Sequence, residues 1–256
     1  MEFVNMESRE SIAFLFDGWE ETLIWSCLQG LMGNAWADRM DAPESAQIVV
    51  GDFCYFAGKP DKELVKNIPS GYASKSMIMV PKTEDWNEVI EREWGEKCCR
   101  RRRYAIKKEG DIFDRQLLER NVEQLPKQYS LKMMDEEAYK DAMAAEWSRD
   151  FCAHFKNYDD YAAHGIGCAI YYGEELVAGA SSYTYYDKGI EVEIGTKEEH
   201  QRKGLARVTA SKLILECLKR GKYPSWDARV KESARLAEQL GYHYSHEYGV
   251  YIVMLS

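Results

Sequence analysis

Residues 191–196 read EVEIGT, residues 201–206 read QRKGLA, and an amphipathic segment follows them. The first piece alternates as a β-strand does, which puts Glu191 and Glu193 on the same face. From Ala206 onward apolar residues recur at three- and four-residue steps, a spacing typical of a helix. The stretch therefore predicts a strand with two carboxylates on one face, then a short loop, then a helix.

The glycine in this loop gives the predicted helix an N-terminus suited to anions. Backbone N–H groups in the first turn of a helix have no intrahelical acceptor, and the helix dipole adds partial positive charge there. Phosphate groups bind at such ends. A Gly-containing loop alone is a weak signal, because most are simply turns. A predicted strand at 224–228, helix at 232–240 and strand at 248–255 complete a more distinctive order.

Composition excludes several classes of protein. The 256 residues are 45% apolar and 30% charged, as in a folded globular protein, and they leave room for two domains. A formal net charge of −9 argues against a nucleic-acid-binding protein. The seven cysteines are odd in number and show no ligand spacing, which favours free thiols in a reducing compartment and no metal site. The apolar run at 12–16 is too short to span a membrane, so we expect a cytoplasmic protein.

The first half of the chain reads as α/β. Asp17 and Glu20 have capping-box spacing, and the apolar residues after them predict one helix from there to about Arg39. Two strands at 48–50 and 53–56 form a predicted hairpin, and further strands are predicted at 77–80 and 103–107. Residues 84–93 predict a helix. The basic run at 97–103 permits an anion-binding patch, but such runs more often form solvated faces or strand edges.

Pro126 marks the expected domain boundary. We expect an N-terminal α/β domain of unknown role at 1–126 and a second domain at 127–256. Three roles stay open for the first domain: a degenerate copy of the same α/β topology, a cover for the acceptor site, or a dimer contact. In the second, the pattern predicts a strand at 129–133, a helix at 136–155 and strands at about 166–172 and 176–186.

At this point the sequence resembles the GCN5-related N-acetyltransferase (GNAT) superfamily, whose pyrophosphate loop has the pattern Arg/Gln-x-x-Gly-x-Gly/Ala. Gln201, Gly204 and Ala206 match this pattern. More narrowly, WD at 226–227 and SARLAEQLGY at 233–242 resemble the branch that contains the zwittermicin A resistance acetyltransferases. The resemblance implies a mixed α/β (α+β) acyl-CoA N-acyltransferase fold, with a central, mostly antiparallel sheet flanked by helices, plus an N-terminal α/β unit.

The resemblance also implies acetyl-CoA (acetyl-coenzyme A) as the cofactor. Loop amides would bind its pyrophosphate, and Arg202 or Lys203 would add charge at the rim. In this fold the strand before the loop splays from its neighbour, often at a bulge, and its free backbone groups hold the pantetheine arm. The expected cofactor-binding residues are Ile194, Thr196, Gln201, Arg202, Lys203, Gly204, Leu205, Ala206, Asp227 and Ser233.

Transfer of an acetyl group to an amine requires the neutral amine, so a carboxylate is the expected general base. Glu193 is the first candidate for this catalytic role and Glu191 the alternate. Both carboxylates could instead only face solvent or pair with cations.

The expected general acid is missing. Many superfamily members have an Asn before the penultimate helix and a Tyr inside it, but those positions are Val230 and Ala237 here. Tyr242, Tyr244 or Tyr248 would replace that tyrosine only if the fold brought one of them near. A thiolate leaving group is already fairly stable, because a cysteine-like thiol has a pKa of about 8.5.

These observations predict an enzyme, an acetyl-CoA-dependent N-acetyltransferase. The expected acceptor is a primary amine of a small molecule, either an antibiotic or a metabolite, that attacks the thioester directly. Tyrosines on the neighbouring strands could line its pocket, although core or surface roles are commoner. No nucleic-acid or membrane partner is expected, and a homodimer is left open. The alternative is a non-catalytic acyl-CoA-binding or sensor protein that keeps the same fold.

Overall fold

The computed structural model describes residues 1–255. Its α-helices are α1 Glu10–Ala13, α2 Thr22–Leu28, α3 Lys62–Lys66, α4 Asp85–Trp94, α5 Arg115–Glu123, α6 Glu136–Ala144, α7 Tyr158–His164, α8 Leu205–Lys219 and α9 Lys231–Gln239. Short 3-10 turns occur at Met6–Ser8, Phe14–Phe16, Gly95–Lys97, Arg149–Phe151 and Glu198–His200.

The strands are interspersed among these helices. They are β1 Glu2–Val4, β2 Asn34–Ala37, β3 Ser45–Val50, β4 Phe53–Gly58, β5 Ser76–Pro81, β6 Cys98–Ile106, β7 Tyr129–Met133, β8 Gly167–Tyr172, β9 Glu175–Tyr186, β10 Gly189–Thr196, β11 Tyr223–Ser225, β12 Asp227–Ala228 and β13 Tyr244–Met254. The predicted mixed α/β class, with mixed sheets flanked by helices, is confirmed.

The chain forms two compact units. One contains Met1–Arg103 together with the residues from Glu247 onward, and the other contains Tyr104–His246. This division differs from the boundary expected near Pro126, because α5 packs in the second unit. There, Leu118 is fully buried in the core, and Asn121 donates a hydrogen bond from Nδ2 to the Ser211 hydroxyl at 3.1 Å.

The first unit is built on a sheet in which β1 to β5 lie side by side in chain order. The strands β1 to β4 pair antiparallel, and β4 pairs with β5 in parallel. The last strand, β13, then pairs antiparallel with β5, with Tyr251 opposite Met79. Trp86 of α4 stacks on Phe56 of β4 with ring centroids 5.0 Å apart, so α4 covers one face of this sheet.

The long helix predicted from Asp17 to about Arg39 is wrong. The helical part is only α2, and β2 follows it at Asn34–Ala37. Gly30 and Gly33 both adopt positive φ, 75° and 76°, which ends the helix and turns the chain into the strand. The regular spacing of apolar residues continued through this turn, so it concealed the break.

The basic run lies in β6, which is longer than the strand predicted at 103–107. Arg100, Arg101 and Arg102 are exposed, and Arg102 pairs with Glu247 at 3.0 Å. Arg103 lies over the Phe53 ring, 4.8 Å from its centroid. The run therefore forms a largely solvated strand.

The second unit is built on a five-stranded sheet in the order β11-β10-β9-β8-β7. Neighbours pair antiparallel except β10 and β11, which are parallel. Helix α8 covers one face, where Leu213 and Ile214 are fully buried against Ile190 and Val192 of β10. This apolar contact fixes the direction in which the N-terminus of α8 points.

Two predicted elements in this unit are interrupted. The helix expected over 136–155 ends at Ala144, and Ala145 adopts an extended conformation. The buried Ser148 hydroxyl then donates to the Ala142 carbonyl at 2.9 Å, which takes over one of the carbonyls at the helix end. The strand expected over 224–228 divides at Trp226 into β11 and β12, and β12 pairs with residues 104–105 of β6.

Within residues 1–255, no helix is long and apolar enough to cross a membrane. The same residues contain no group of three or more His, Cys, Asp or Glu side chains arranged to hold a metal ion.

Candidate active site

The loop before α8 has the geometry of an anion-binding turn. Arg202 adopts φ 58° and Gly204 adopts φ 80°, so two residues of this short loop are left-handed. Gly204 is the N-cap residue of α8 and provides no capping side chain. The first-turn amides of Leu205 and Ala206 have no intrahelical acceptor, and the dipole of a 15-residue helix ends at the same point.

A cleft of about 390 Å³ opens at this helix end. Six of the ten expected cofactor-binding residues line it, and these are Thr196, Gln201, Arg202, Gly204, Leu205 and Ala206. Four further lining residues were not expected from the sequence, and these are His200, Arg207, Leu236 and Gln239. The cleft therefore runs from the end of β10, past the N-terminus of α8, to one side of α9.

Arg207 adds a cation in the first turn of α8. It is half-buried, and Nη2 donates to the Gln124 amide oxygen at a long 3.4 Å. His200 is fixed by its Nδ1, which lies 3.0 Å from the Tyr129 hydroxyl. The loop pattern did not indicate these residues, but Arg207 lies three residues after Gly204, a spacing that places it at the same helix end.

The sheet opens beside the cleft. Strand β10 pairs with β11 only from Gly189 to Glu191, opposite Tyr223 to Ser225. The chain then leaves this sheet at Trp226, and β12 joins the other sheet. In residues 1–255 no strand pairs with the rest of this edge of β10, where Ile194 and Thr196 lie.

The Thr196 side chain marks the end of this open edge. Its hydroxyl oxygen is buried and has no hydrogen-bond partner within the described chain, and its carbonyl accepts a 3.3 Å bond from Gln201 Nε2. A buried polar atom without a partner is costly, so a ligand that bonds to this hydroxyl would gain free energy at the site.

The two glutamates occupy different environments on β10. Ile190 and Val192 belong to the core under α8, so alternation places Glu191 and Glu193 on the opposite face. Glu191 is 7% exposed, whereas Glu193 is half-buried. The register with β9 shifts between Glu191 and Val192, an irregularity of the kind expected beside the open edge.

Tyrosines surround Glu191. Burial raises the pKa of Tyr223 to about 12, and the charges of Glu109 and Glu191 add to the rise. Burial, together with the Glu191 charge, also raises the pKa of Tyr186 above its ordinary value. Glu191 therefore lies among neutral phenols, in a dry part of the unit.

The face that carries Glu193 is covered by aromatic side chains. Ser181 of β9 lies opposite Glu193, and its hydroxyl donates to the Phe151 carbonyl at 2.7 Å. A Cβ atom added at Gly195 would lie 3.1 Å from the Phe151 ring and 3.5 Å from the Trp147 ring. Phe151 and Trp147 thus pack directly on the strand, two residues beyond Glu193.

The candidate general acids are placed differently from one another. The Tyr242 ring is 2% exposed, and its hydroxyl donates to the Pro224 carbonyl at 2.6 Å. Tyr244 is 38% exposed on β13, and Tyr248 belongs to the first unit. Ala237 is fully buried in the core, so the position of the usual tyrosine holds a packing residue.

The remaining expected cofactor residues do not line the cleft. Lys203 is exposed, and its Nζ donates to the Glu199 carbonyl at 2.8 Å. Ser233 accepts a 3.1 Å bond from Trp226 Nε1, which ties the first turn of α9 to the point where the sheets separate. Asp227 is half-buried in β12. Their roles toward a cofactor stay predictions.

The splayed strand, the uncapped helix and the cleft together define a protein of the GNAT fold. The model of the GNAT acetyltransferase family matches residues 13–251, and the chain belongs to this family. The resemblance to the zwittermicin A resistance branch stays a prediction.

Among known proteins, the chain is similar to a GCN5-related N-acetyltransferase-like protein from Streptococcus suis 89/1591. The two are 38% identical, the match covers 96% of this chain and 98% of that chain, and the TM-score is 0.90. The chain is also 28% identical over 240 residues to the uncharacterized N-acetyltransferase YdfB of Bacillus subtilis (strain 168), and the match covers 90% of this chain and 89% of the relative. A GCN5-related N-acetyltransferase from Kribbella flavida shares the fold, at 14% identity, coverage of 100% and 97%, and a TM-score of 0.54.

Proposed function

We propose that the protein transfers an acetyl group from acetyl-CoA to a primary amine of a small molecule by direct attack. The observation that carries this proposal is the opening of the sheet after Glu191, which leads along β10 into the cleft at Gly204. An elongated ligand with an anionic middle and a polar, amide-bearing arm has the shape and chemistry of these two features.

The residues at the site fit such a donor. The amides of Leu205 and Ala206 would hold the pyrophosphate, and Arg202 and Arg207 would balance its charge. The open edge of β10 would bond the amides of the pantetheine arm as a missing strand would, with the Thr196 hydroxyl as a further partner. Bound there, acetyl-CoA would supply a thioester whose acyl carbon accepts the amine.

Glu193 is the proposed general base. In its ionised form this carboxylate accepts a proton from the ammonium group, directly or through water. Its partial exposure gives it access to water, whereas Glu191 is 7% exposed and lies among tyrosines. Glu191 is therefore the alternate.

The chemistry does not need a tyrosine acid. A thiol leaving group has a pKa near 8.5, so the thiolate departs without full protonation near neutral pH. The acidic surface of the chain, net −9, favours the approach of a cationic amine over that of an anionic acceptor.

The proposal is tested by Glu193→Gln, which removes the charge and keeps the shape. Coenzyme A release is followed by a thiol reagent with a panel of amino sugars, polyamines and amino acid amides, and acetyl-CoA affinity is measured by calorimetry. We expect kcat to fall about 10²- to 10⁴-fold with unchanged affinity. Glu198→Gln, an exposed carboxylate in the following 3-10 turn, is the matched control and should leave both values unchanged. Unchanged kcat in Glu193→Gln would remove Glu193 from the mechanism.

A non-catalytic acyl-CoA sensor is the second candidate, because Val230 and Ala237 replace the Asn and Tyr expected from the superfamily. Val230 is 46% exposed and forms no capping bond to α9. A sensor predicts saturable acetyl-CoA binding, with added stability of about 2.7 kcal/mol at a hundredfold excess over Kd. It also predicts no transfer to any amine in the panel, whereas an enzyme transfers to at least one.

A further inference from the structure

Two successive segments of the chain, residues 2–106 and 129–254, repeat one order of elements. The first runs β1, α1, α2, β2, β3, β4, α3, β5, α4 and β6, and the second runs β7, α6, α7, β8, β9, β10, α8, β11, α9 and β13, with only the short β12 added. Both sheets place their first five strands side by side in chain order. In each, three antiparallel pairs are followed by one parallel pair. The two segments are therefore two copies of one topology, called the first and the second copy below.

This equivalence assigns a counterpart to each part of the proposed donor site. Strand β4 corresponds to β10, β5 corresponds to β11, and α3 corresponds to α8. The sequence Lys59-Pro60-Asp61 precedes α3, where Gln201 to Gly204 precede α8.

The edge that opens in the second copy is closed in the first. Strands β4 and β5 stay in register from Phe53 opposite Ile78 to Phe56 opposite Pro81. The Lys82 amide then donates to the Phe56 carbonyl at 2.9 Å and extends the contact. No space for a strand-like ligand is left along this stretch.

The helix end is also occupied by the chain itself. The Asp61 carboxylate caps α3 and accepts bonds from the amides of Glu63 at 2.7 Å and Leu64 at 3.0 Å. Its φ is −131°, in contrast to the left-handed Gly204. Glu63 adds a second negative charge in the first turn, and α3 has only five residues. An incoming phosphate would meet two carboxylates in place of free amides.

We infer that the chain binds one acyl-CoA molecule, in the second copy, and that the first copy has closed its equivalent site with the Asp61 carboxylate and the continuous β4–β5 ladder. This inference rests on the proposed function for the identity of the ligand. It makes the first copy a structural duplicate without donor binding, so one chain performs one transfer at a time.

Calorimetric titration of the full chain with coenzyme A tests this directly. The expected stoichiometry is one per chain. In Ala206→Glu, the second position of α8 receives the acidic residue that Glu63 provides in α3, and we expect affinity to fall tenfold or more through repulsion of the pyrophosphate. A negative charge in the first turn of a helix interacts favourably with the helix dipole, so this variant should fold, and circular dichroism checks that it does.

The matched control is Asp61→Ala, which removes the cap in the first copy. Stoichiometry and affinity should stay at the wild-type values, because the β4–β5 ladder remains closed. Two molecules bound per chain, or a site of undiminished affinity in Ala206→Glu, would overturn the inference. A wild-type chain that binds no coenzyme A would instead overturn the donor proposed above, a result distinct from a stoichiometry of two.

Discussion

Replacing Tyr242 by Phe separates a structural role from a catalytic one at the most buried candidate acid. The ring contacts Phe113 and Trp226, with centroids 4.9 and 5.6 Å away, and the substitution leaves these contacts in place. Only the hydroxyl is lost, together with its 2.6 Å bond to the Pro224 carbonyl. Burial raises the pKa of this phenol well above its ordinary value, so it is a poor proton donor.

The expected loss of unfolding free energy follows from that single hydrogen bond. A buried acceptor that loses its donor costs about 1–3 kcal/mol, and for a chain of this size each kcal/mol lowers Tm by about 2–4 °C. We expect Tyr242→Phe to lose about 1–2 kcal/mol in urea unfolding while kcat changes less than twofold. Tyr172→Phe, at a tyrosine that is 50% exposed, is the control and should stay within about 0.5 kcal/mol of wild type. A tenfold fall in kcat with an unchanged unfolding midpoint would refute this reasoning and make Tyr242 the acid.

Three further outcomes are expected. Gly179→Ala should destabilise the fold by about 1–3 kcal/mol, because the new Cβ would lie 2.5 Å from the Phe151 ring. Gly195→Ala should destabilise it less, because its Cβ would lie 3.1 Å from the same ring. Equal urea midpoints for the two variants would contradict this order. Arg207→Gln should weaken coenzyme A binding severalfold and make the affinity less dependent on salt, which calorimetry at two ionic strengths would measure. Unchanged affinity would exclude this cation from the site. Burial raises the pKa of the Cys168 thiol to about 12, and it also raises the pKa values of the Cys27, Cys54, Cys152 and Cys217 thiols. Above pH 8.5 the unfolded chain loses these protons while the folded chain keeps them, so stability should fall by up to about 1.4 kcal/mol per pH unit for each thiol; a rise in urea midpoint between pH 8.5 and 10 would contradict the sign.

Elements with local signals were predictable from the sequence. The hairpin around Gly51 and the helix α8 follow from turn residues and apolar spacing within a few positions, and both are confirmed. The prediction of one helix from Asp17 was wrong because Gly30 and Gly33 interrupt the helix, although the spacing of apolar residues continues on both sides of them. The split at Trp226 could not be predicted, because it depends on which sheet each half-strand joins, and that choice is made by distant residues.

The candidate site also contains residues that the sequence predicts and residues that it does not. The loop from Gln201 to Ala206 carries its own pattern, so its residues could be named in advance. Leu236 and Gln239 are three apart on α9 and so share a face, but the sequence does not say that this face lines a cleft with α8. A repeated topology was one of the alternatives left open, because the sequence shows no internal repeat and only the order and sense of strand pairing reveal it.

The position of β13 has a consequence for synthesis of the chain. Residues Tyr251 to Met254 cover the edge of β5, yet they follow it by about 170 residues. At about 5–20 residues per second, a ribosome takes on the order of 10–35 s to supply them. During that interval the nascent first unit exposes an apolar strand edge, the kind of surface that pairs with other chains. Slow translation of the second half, or a premature stop before β13, would therefore favour aggregation of the nascent chain and place it among the substrates of molecular chaperones.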